Sequence, residues 1–188
     1  MESAIPEHLR CPRTRLRRAP ETYVPAFASW AARILGIERS VVLVADDDAA
    51  ARESRLRLAR VGIENVAGSL AGGIGAWMSS GKPVQTLPQM SAQELAVGGL
   101  SGTLLDVRER GERAMGSIPG SICIPLPELA SRLGELNSSI ATIVHCKGGY
   151  RSSIAASVLQ AAGFAEVANL TGGYDAWTLI RSSQAASA

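Results

Sequence analysis

The chain has 188 residues, 46% of them apolar and 19% charged, with a formal net charge of +2. That is enough apolar sequence for one full domain and part of a second, and too small a charge surplus to argue for nucleic acid or a membrane surface as a partner. No stretch approaches the roughly 18 consecutive apolar residues of a spanning helix, and the N-terminus lacks the apolar core of a signal peptide, so the chain reads as cytoplasmic.

Three cysteines, Cys11, Cys123 and Cys146, fall in no CxxC or zinc-ligand spacing, and reduced thiols are expected. Residues 1–20 carry Arg10, Arg13, Arg15, Arg17 and Arg18 among prolines without an amphipathic period, the pattern of a poorly ordered, solvated arm.

From residue 21 the sequence becomes rhythmic. VVLVA (41–45) is a buried-strand candidate, followed by DDDAA and a helical pattern through Leu56, Leu58 and Ala59 to Gly62, a residue suited to stopping a helix. SSGKPVQTLP (79–88) reads as a linker. TLLDV (103–107) predicts a second buried strand, and RERGERAMGSIPGSICIP a charged turn or short helix leading into a strand around 121–124. TIVHC (142–146) predicts another strand, then KGGYR, then a helix from about Ser152 with Ile154, Val158, Leu159 and Ala162 at helical spacing, up to Gly163.

GIENVAGSLAGGIGAW (62–77) lies over GFAEVANLTGGYDAW (163–177) with one single-residue gap. Strand, helix, strand, Gly-Gly turn and tryptophan therefore recur in order, as in an internal duplication. The boundaries that follow are an arm at 1–20, a partial unit at 21–82, a complete unit at 83–180 and a tail at 181–188. Alternating strands and helices predict an α/β fold with a parallel central sheet flanked by helices and ligands at the C-terminal ends of its strands. VHCKGGYRSS is at such an end.

A cysteine there becomes a nucleophile when a helix N-terminus or neighbouring cations stabilise its thiolate. Gly148 and Gly149 permit backbone conformations that turn successive N–H groups toward Cys146. Lys147 and Arg151 are expected to add positive charge that attracts an anionic donor. His145, adjacent in a strand, points to the opposite face and is expected to be packed or hydrogen-bonded, not a base for the thiol. Trp77 and Trp177 are expected to cap their cores, and Cys11 and Cys123 to be bystanders.

CKGGYRSS, with LLDVRE, GSIPGSICIP and NLTGGYDAW, resembles the rhodanese family of sulfurtransferases over residues 90–178. The resemblance implies a three-layer fold and a loop in which Cys146 carries a sulfane sulfur as a persulfide, completed by Lys147, Gly148, Gly149, Tyr150 and Arg151 and supported by Ser152. Asp106 and Arg108 match the family's DxR element, which ties a strand to the active-site region. Ser117 stands where the family usually has histidine, a departure expected to alter surroundings and not the nucleophile. No cofactor or metal is implied. The implied partners are a small-molecule sulfur donor, thiosulfate or a small persulfide, and a thiol or cyanide acceptor.

In the first copy Ala45 overlays Cys146, Ala50 overlays Arg151, and Asp46, Asp47, Asp48 and Ala49 replace the cradle. Three acids repel an anionic donor, so this unit resembles an inactive rhodanese-like one; adjacent carboxylates rarely converge on one metal ion. A degenerate unit ahead of an active one is also similar to fusions of a metallo-β-lactamase-fold persulfide dioxygenase with rhodanese-like units. That makes such a dioxygenase a candidate partner, since the chain has no HxHxDH motif. Two rivals are a Cys-dependent phosphatase or arsenate reductase, for which the four-residue spacing from Cys146 to Arg151 is one short, and a non-enzymatic persulfide-sensing module.

Overall fold

The computed structural model describes residues 26–98 and 102–186. The chain divides into two units between Gln85 and Thr86. The arginine-rich arm, Cys11 and the last two residues of the tail lie outside the described residues. Among the described residues no helix is long and apolar enough to cross a membrane.

The first unit runs α1 (Phe27–Leu35), β1 (Val41–Leu43), α2 (Asp48–Ala59), β2 (Val66–Ser69) and α3 (Gly73–Ser79). Its strands form a two-stranded parallel sheet. Leu43, Leu58, Ile63 and Val66 make a small core with Ala28, against which Phe27, Ala31 and Ala32 of α1 also pack. This helix is not expected from the pattern above; its small apolar face becomes legible only beside the strands it covers. The start of α2 has a local cause, because the Asp47 carboxylate accepts the Ala50 N–H at 2.7 Å and so satisfies a donor of the first turn. Parallel sheets are normally covered on both faces, yet Val42 is 52% exposed.

The second unit runs β3 (Gln89–Met90), α4 (Ala92–Gly98), β4 (Thr103–Asp106), α5 (Arg110–Ala114), β5 (Ile122–Cys123), two short 3-10 segments, β6 (Thr142–His145), α6 (Tyr150–Ala161), β7 (Val167–Leu170) and α7 (Gly173–Ala186). All five strands are parallel in the order β3-β7-β6-β4-β5, with helices on the sheet, the α/β arrangement that the resemblance implies. β6 is central and all four of its residues are buried, which is why it reads as an unbroken run without alternation. Leu104, Ile143 and Leu170 form a core with Leu95 and Ile118, lined by Trp177. The α4 helix carries a signal that sequence inspection can find. Ser91 and Glu94 bond reciprocally, Ser91 N–H to Glu94 Oε2 at 2.7 Å and Glu94 N–H to Ser91 Oγ at 3.1 Å, a capping box.

The two units share local geometry. Val41 pairs with Val66 and, 101 residues on, Thr142 with Val167. Ile63 N–H donates to Leu58 O at 3.0 Å, and Phe164 N–H to Leu159 O at 3.1 Å. Each unit then has a left-handed glycine pair, Gly72-Gly73 and Gly172-Gly173, opening α3 and α7. The first unit departs at β1, where the register slips between Val41 and Val42.

Trp77 differs from its expected role. Its indole N–H donates to Pro83 O at 3.0 Å and Lys82 lies over its ring, so it packs on the segment leaving the unit, whereas Trp177 does line its core.

Candidate active site

Cys146 follows the last residue of β6, at the C-terminal end of the sheet, and α6 begins four residues later at Tyr150 instead of near Ser152 as expected. The cause is Gly149, whose φ of 107° lies in the left-handed region and turns the chain directly into the helix. Tyr150, Arg151 and Ser152 thus belong to the first helical turn.

The first turn of α7 holds the loop backbone. Tyr174 N–H donates to Cys146 O at 2.8 Å and Asp175 N–H to Lys147 O at 3.1 Å. This approach requires glycine at 173, because a Cβ there would overlap both carbonyls. The sulfur itself meets two donors at the start of α6. Gly149 N–H lies 3.1 Å from Cys146 Sγ and Ser152 Oγ 3.4 Å away. Ser152 has a single proton and a second acceptor, Gly149 O at 3.0 Å, so negative charge on the sulfur would draw the hydroxyl toward it. Cys146 is 2% exposed, so a reactant must reach a nearly covered sulfur.

The cations of the loop are placed differently from expectation. Arg151 makes a bidentate pair with Glu112 of α5, at 2.5 and 2.7 Å. Its guanidinium is held above its ordinary pKa first by that carboxylate and further by the nearby Cys146 sulfur. Glu112 is oriented in turn by the Glu109 N–H at 3.1 Å, as the third residue of a capping box. Lys147 Nζ lies 2.7 Å from Asp175 Oδ2. The expected positive rim is therefore neutralised pair by pair.

Asp106 and Arg108 form a buried pair below the loop. The Arg108 guanidinium donates to Asp106 at 2.7 and 3.0 Å and to Gly116 O at 2.8 Å, and its cation lies 4.1 Å from the centre of the Tyr174 ring. The pair thereby connects the end of β4, the GSIPG turn and the first turn of α7, the turn whose N–H groups hold Cys146 and Lys147. His145 pairs in register with Asp106; it is fully buried, with Nε2 3.8 Å from Asp106 Oδ2, and burial depresses its pKa. Cys123 lies across β4, paired in register with Asp106. Its thiol pKa is raised by burial and by Asp106, opposite to what a nucleophile needs.

Glu112 is not legible as a site residue from the sequence. The Glu109-x-x-Glu112 spacing signals a helix start, but nothing in it reveals contact with Arg151, 39 positions away.

A nearly buried cysteine at the end of a parallel sheet, with the Gly149 N–H and the Ser152 hydroxyl against its sulfur at the start of a helix, is an arrangement suited to thiol chemistry. The chain belongs to the rhodanese family: the Rhodanese-like domain matches residues 85–179. It is 40% identical over 75 residues to the Bacillus subtilis protein YrkF, covering 40% of each chain. It is 34% identical over 74 residues to a protein of Allochromatium vinosum named sulfurtransferase, covering 39% of this chain and 69% of that one. Among solved structures it is similar to a rhodanese-related protein of Thermoplasma volcanium, at 32% identity and a TM-score of 0.47, covering 50% of this chain and 92% of that one.

Proposed function

We propose that the chain is a sulfurtransferase in which Cys146 accepts a sulfane sulfur from a small donor and passes it to a thiol or cyanide acceptor. The observation that carries this reading is the convergence on Cys146 Sγ of the Gly149 N–H and the Ser152 hydroxyl at the start of α6. The Cys146 thiolate forms a bond to the donor's outer sulfur as the donor's S–S bond breaks, and the electron pair leaves with the donor thiolate or sulfite. An acceptor thiolate then attacks the terminal sulfur and restores the Cys146 thiolate. Two half-reactions through a covalent intermediate give ping-pong kinetics. The positive potential at the helix start supports charge on the terminal sulfur in both.

The phosphatase reading is disfavoured because the arginine that would clasp a tetrahedral oxyanion is already bonded through both terminal nitrogens to Glu112. The first unit is, in this proposal, a degenerate copy of the same βαβα element, supported by the matching first strand pair and the glycine pair and by alanine at 45.

Removing the nucleophile is the test. Cys146→Ser is expected to lower sulfur transfer by about 1,000-fold or more while the fold persists. Turnover that survives in Cys146→Ser would sink the proposal.

A further inference from the structure

Each cation on the loop and its supports is committed before any reactant arrives. Arg108 serves Asp106 and Gly116 O, Arg151 serves Glu112 and Lys147 serves Asp175. Arg151 is the most closely held at the rim, with 16% of its side chain exposed and its carboxylate partner fixed by the Glu109 N–H. A site that captures small dianions does so with surplus positive charge. Here two rim carboxylates stand with the two rim cations.

Sulfane donors differ in what they bring to such a rim. Thiosulfate places a sulfonate group and two negative charges directly behind its reactive sulfur, and its leaving group, sulfite, keeps two. A persulfide, R–S–SH, brings at most one charge on a narrow tip, and the rest of R remains in solvent. With Cys146 2% exposed, the group immediately behind the tip is left among the charges of the loop, the Arg151–Glu112 pair and, on the residue next to Cys146, the Lys147–Asp175 pair.

We propose that Glu112 and Asp175 make this site selective for low-molecular-weight persulfides and against thiosulfate. The inference rests on the reading of Cys146 as the sulfur carrier. The favoured step is Cys–S⁻ + R–S–SH → Cys–S–SH + R–S⁻, in which one S–S bond forms as another breaks, the sulfur moves at constant oxidation level and the leaving thiolate takes its proton from solvent. Glu112 acts through Arg151 and is a positioning residue; Asp175 acts by its charge.

The test is the single-turnover rate of sulfur addition to the full chain, followed by intact mass. The donors are thiosulfate and the persulfide of 2-mercaptoethanol, whose organic part is uncharged. Glu112→Gln and Asp175→Asn are each expected to raise the thiosulfate rate relative to the persulfide rate by about three- to tenfold at low ionic strength, with added salt shrinking the gain. Should Glu112→Gln slow both donors alike through a displaced Arg151, Asp175→Asn, which leaves Arg151 untouched, still carries the shift. An unchanged ratio in both variants, or wild-type protein that reacts faster with thiosulfate, overturns the selectivity. Absence of any adduct with either donor overturns instead the carrier role on which it rests.

Discussion

Residues 45–50 and 146–151 occupy the same place in two similar strand-to-helix connections, and they treat the helix start in opposite ways. In the first, the Asp47 carboxylate takes the Ala50 N–H at 2.7 Å; the chain's own anion fills the position. In the second, Gly149 supplies no side chain and its N–H points at Cys146 Sγ, 3.1 Å away. A helix start exposes donors that some acceptor must satisfy. A carboxylate cap spends them on stability, whereas a glycine entry leaves them for a reacting sulfur. The difference separates an inert connection from one suited to chemistry, although the glycine turns that follow are nearly the same.

The largest expected effect comes from the buried support of the second unit. Asp106→Asn leaves Arg108 buried without its counter-charge and is expected to cost about 3–5 kcal/mol of stability, measured by denaturant unfolding. Burial pushes the Asp106 carboxyl up, but Arg108 outweighs it and holds the pKa below its ordinary 3.8. A carboxylate with a lower pKa folded than unfolded contributes stability above the unfolded pKa and loses it as pH falls through the folded one. Wild-type protein should therefore lose stability below about pH 4 more steeply than Asp106→Asn. Parallel pH profiles would contradict the pairing.

One substitution made in both units sharpens the contrast. An alanine Cβ at Gly173 would overlap the carbonyls of Cys146 and Lys147, and one at Gly73 the carbonyl of Ala45. Both glycines also have left-handed φ, so each change is expected to cost about 1–3 kcal/mol locally. Gly173→Ala should in addition depress sulfur transfer by displacing the loop. Gly73→Ala should speed amide exchange in residues 41–77 and leave transfer unchanged. Equal activity losses from the two would mean that the first unit takes part in the chemistry.

The smallest effect is at the cap itself. Asp47→Ala is expected to cost about 1 kcal/mol, read as faster exchange of the first-turn amides of α2, with transfer unaltered. No change in exchange would remove the role assigned to the carboxylate.

What could be read from the sequence follows from how far each interaction reaches along the chain. The strand ending at His145, the glycine entry to α6 and the repeated Gly-Gly turns rest on neighbouring residues, and all are legible, though the helix starts two residues earlier than its apolar spacing suggests. The Asp106–Arg108 pair is two residues apart and was recognisable through family resemblance. The charge state of the rim was not legible, because Glu112 meets Arg151 across 39 positions and Asp175 meets Lys147 across 28. The cations of the loop by themselves predict an anion attractor; only the fold brings up the carboxylates that neutralise it. α1 is not legible for a similar reason, since small residues on its buried face gain meaning only against Leu43 and Leu58.

The central claim is that one thiol, placed by the glycine entry of α6, carries the sulfur. Treating the full chain with the persulfide of 2-mercaptoethanol and mapping the product by mass spectrometry tests it most directly. A gain of about 32 mass units, one sulfur atom, is predicted on the peptide containing Cys146, lost in Cys146→Ser. Sulfur found on Cys123 or Cys11 in place of Cys146, or on no cysteine at all, would contradict it.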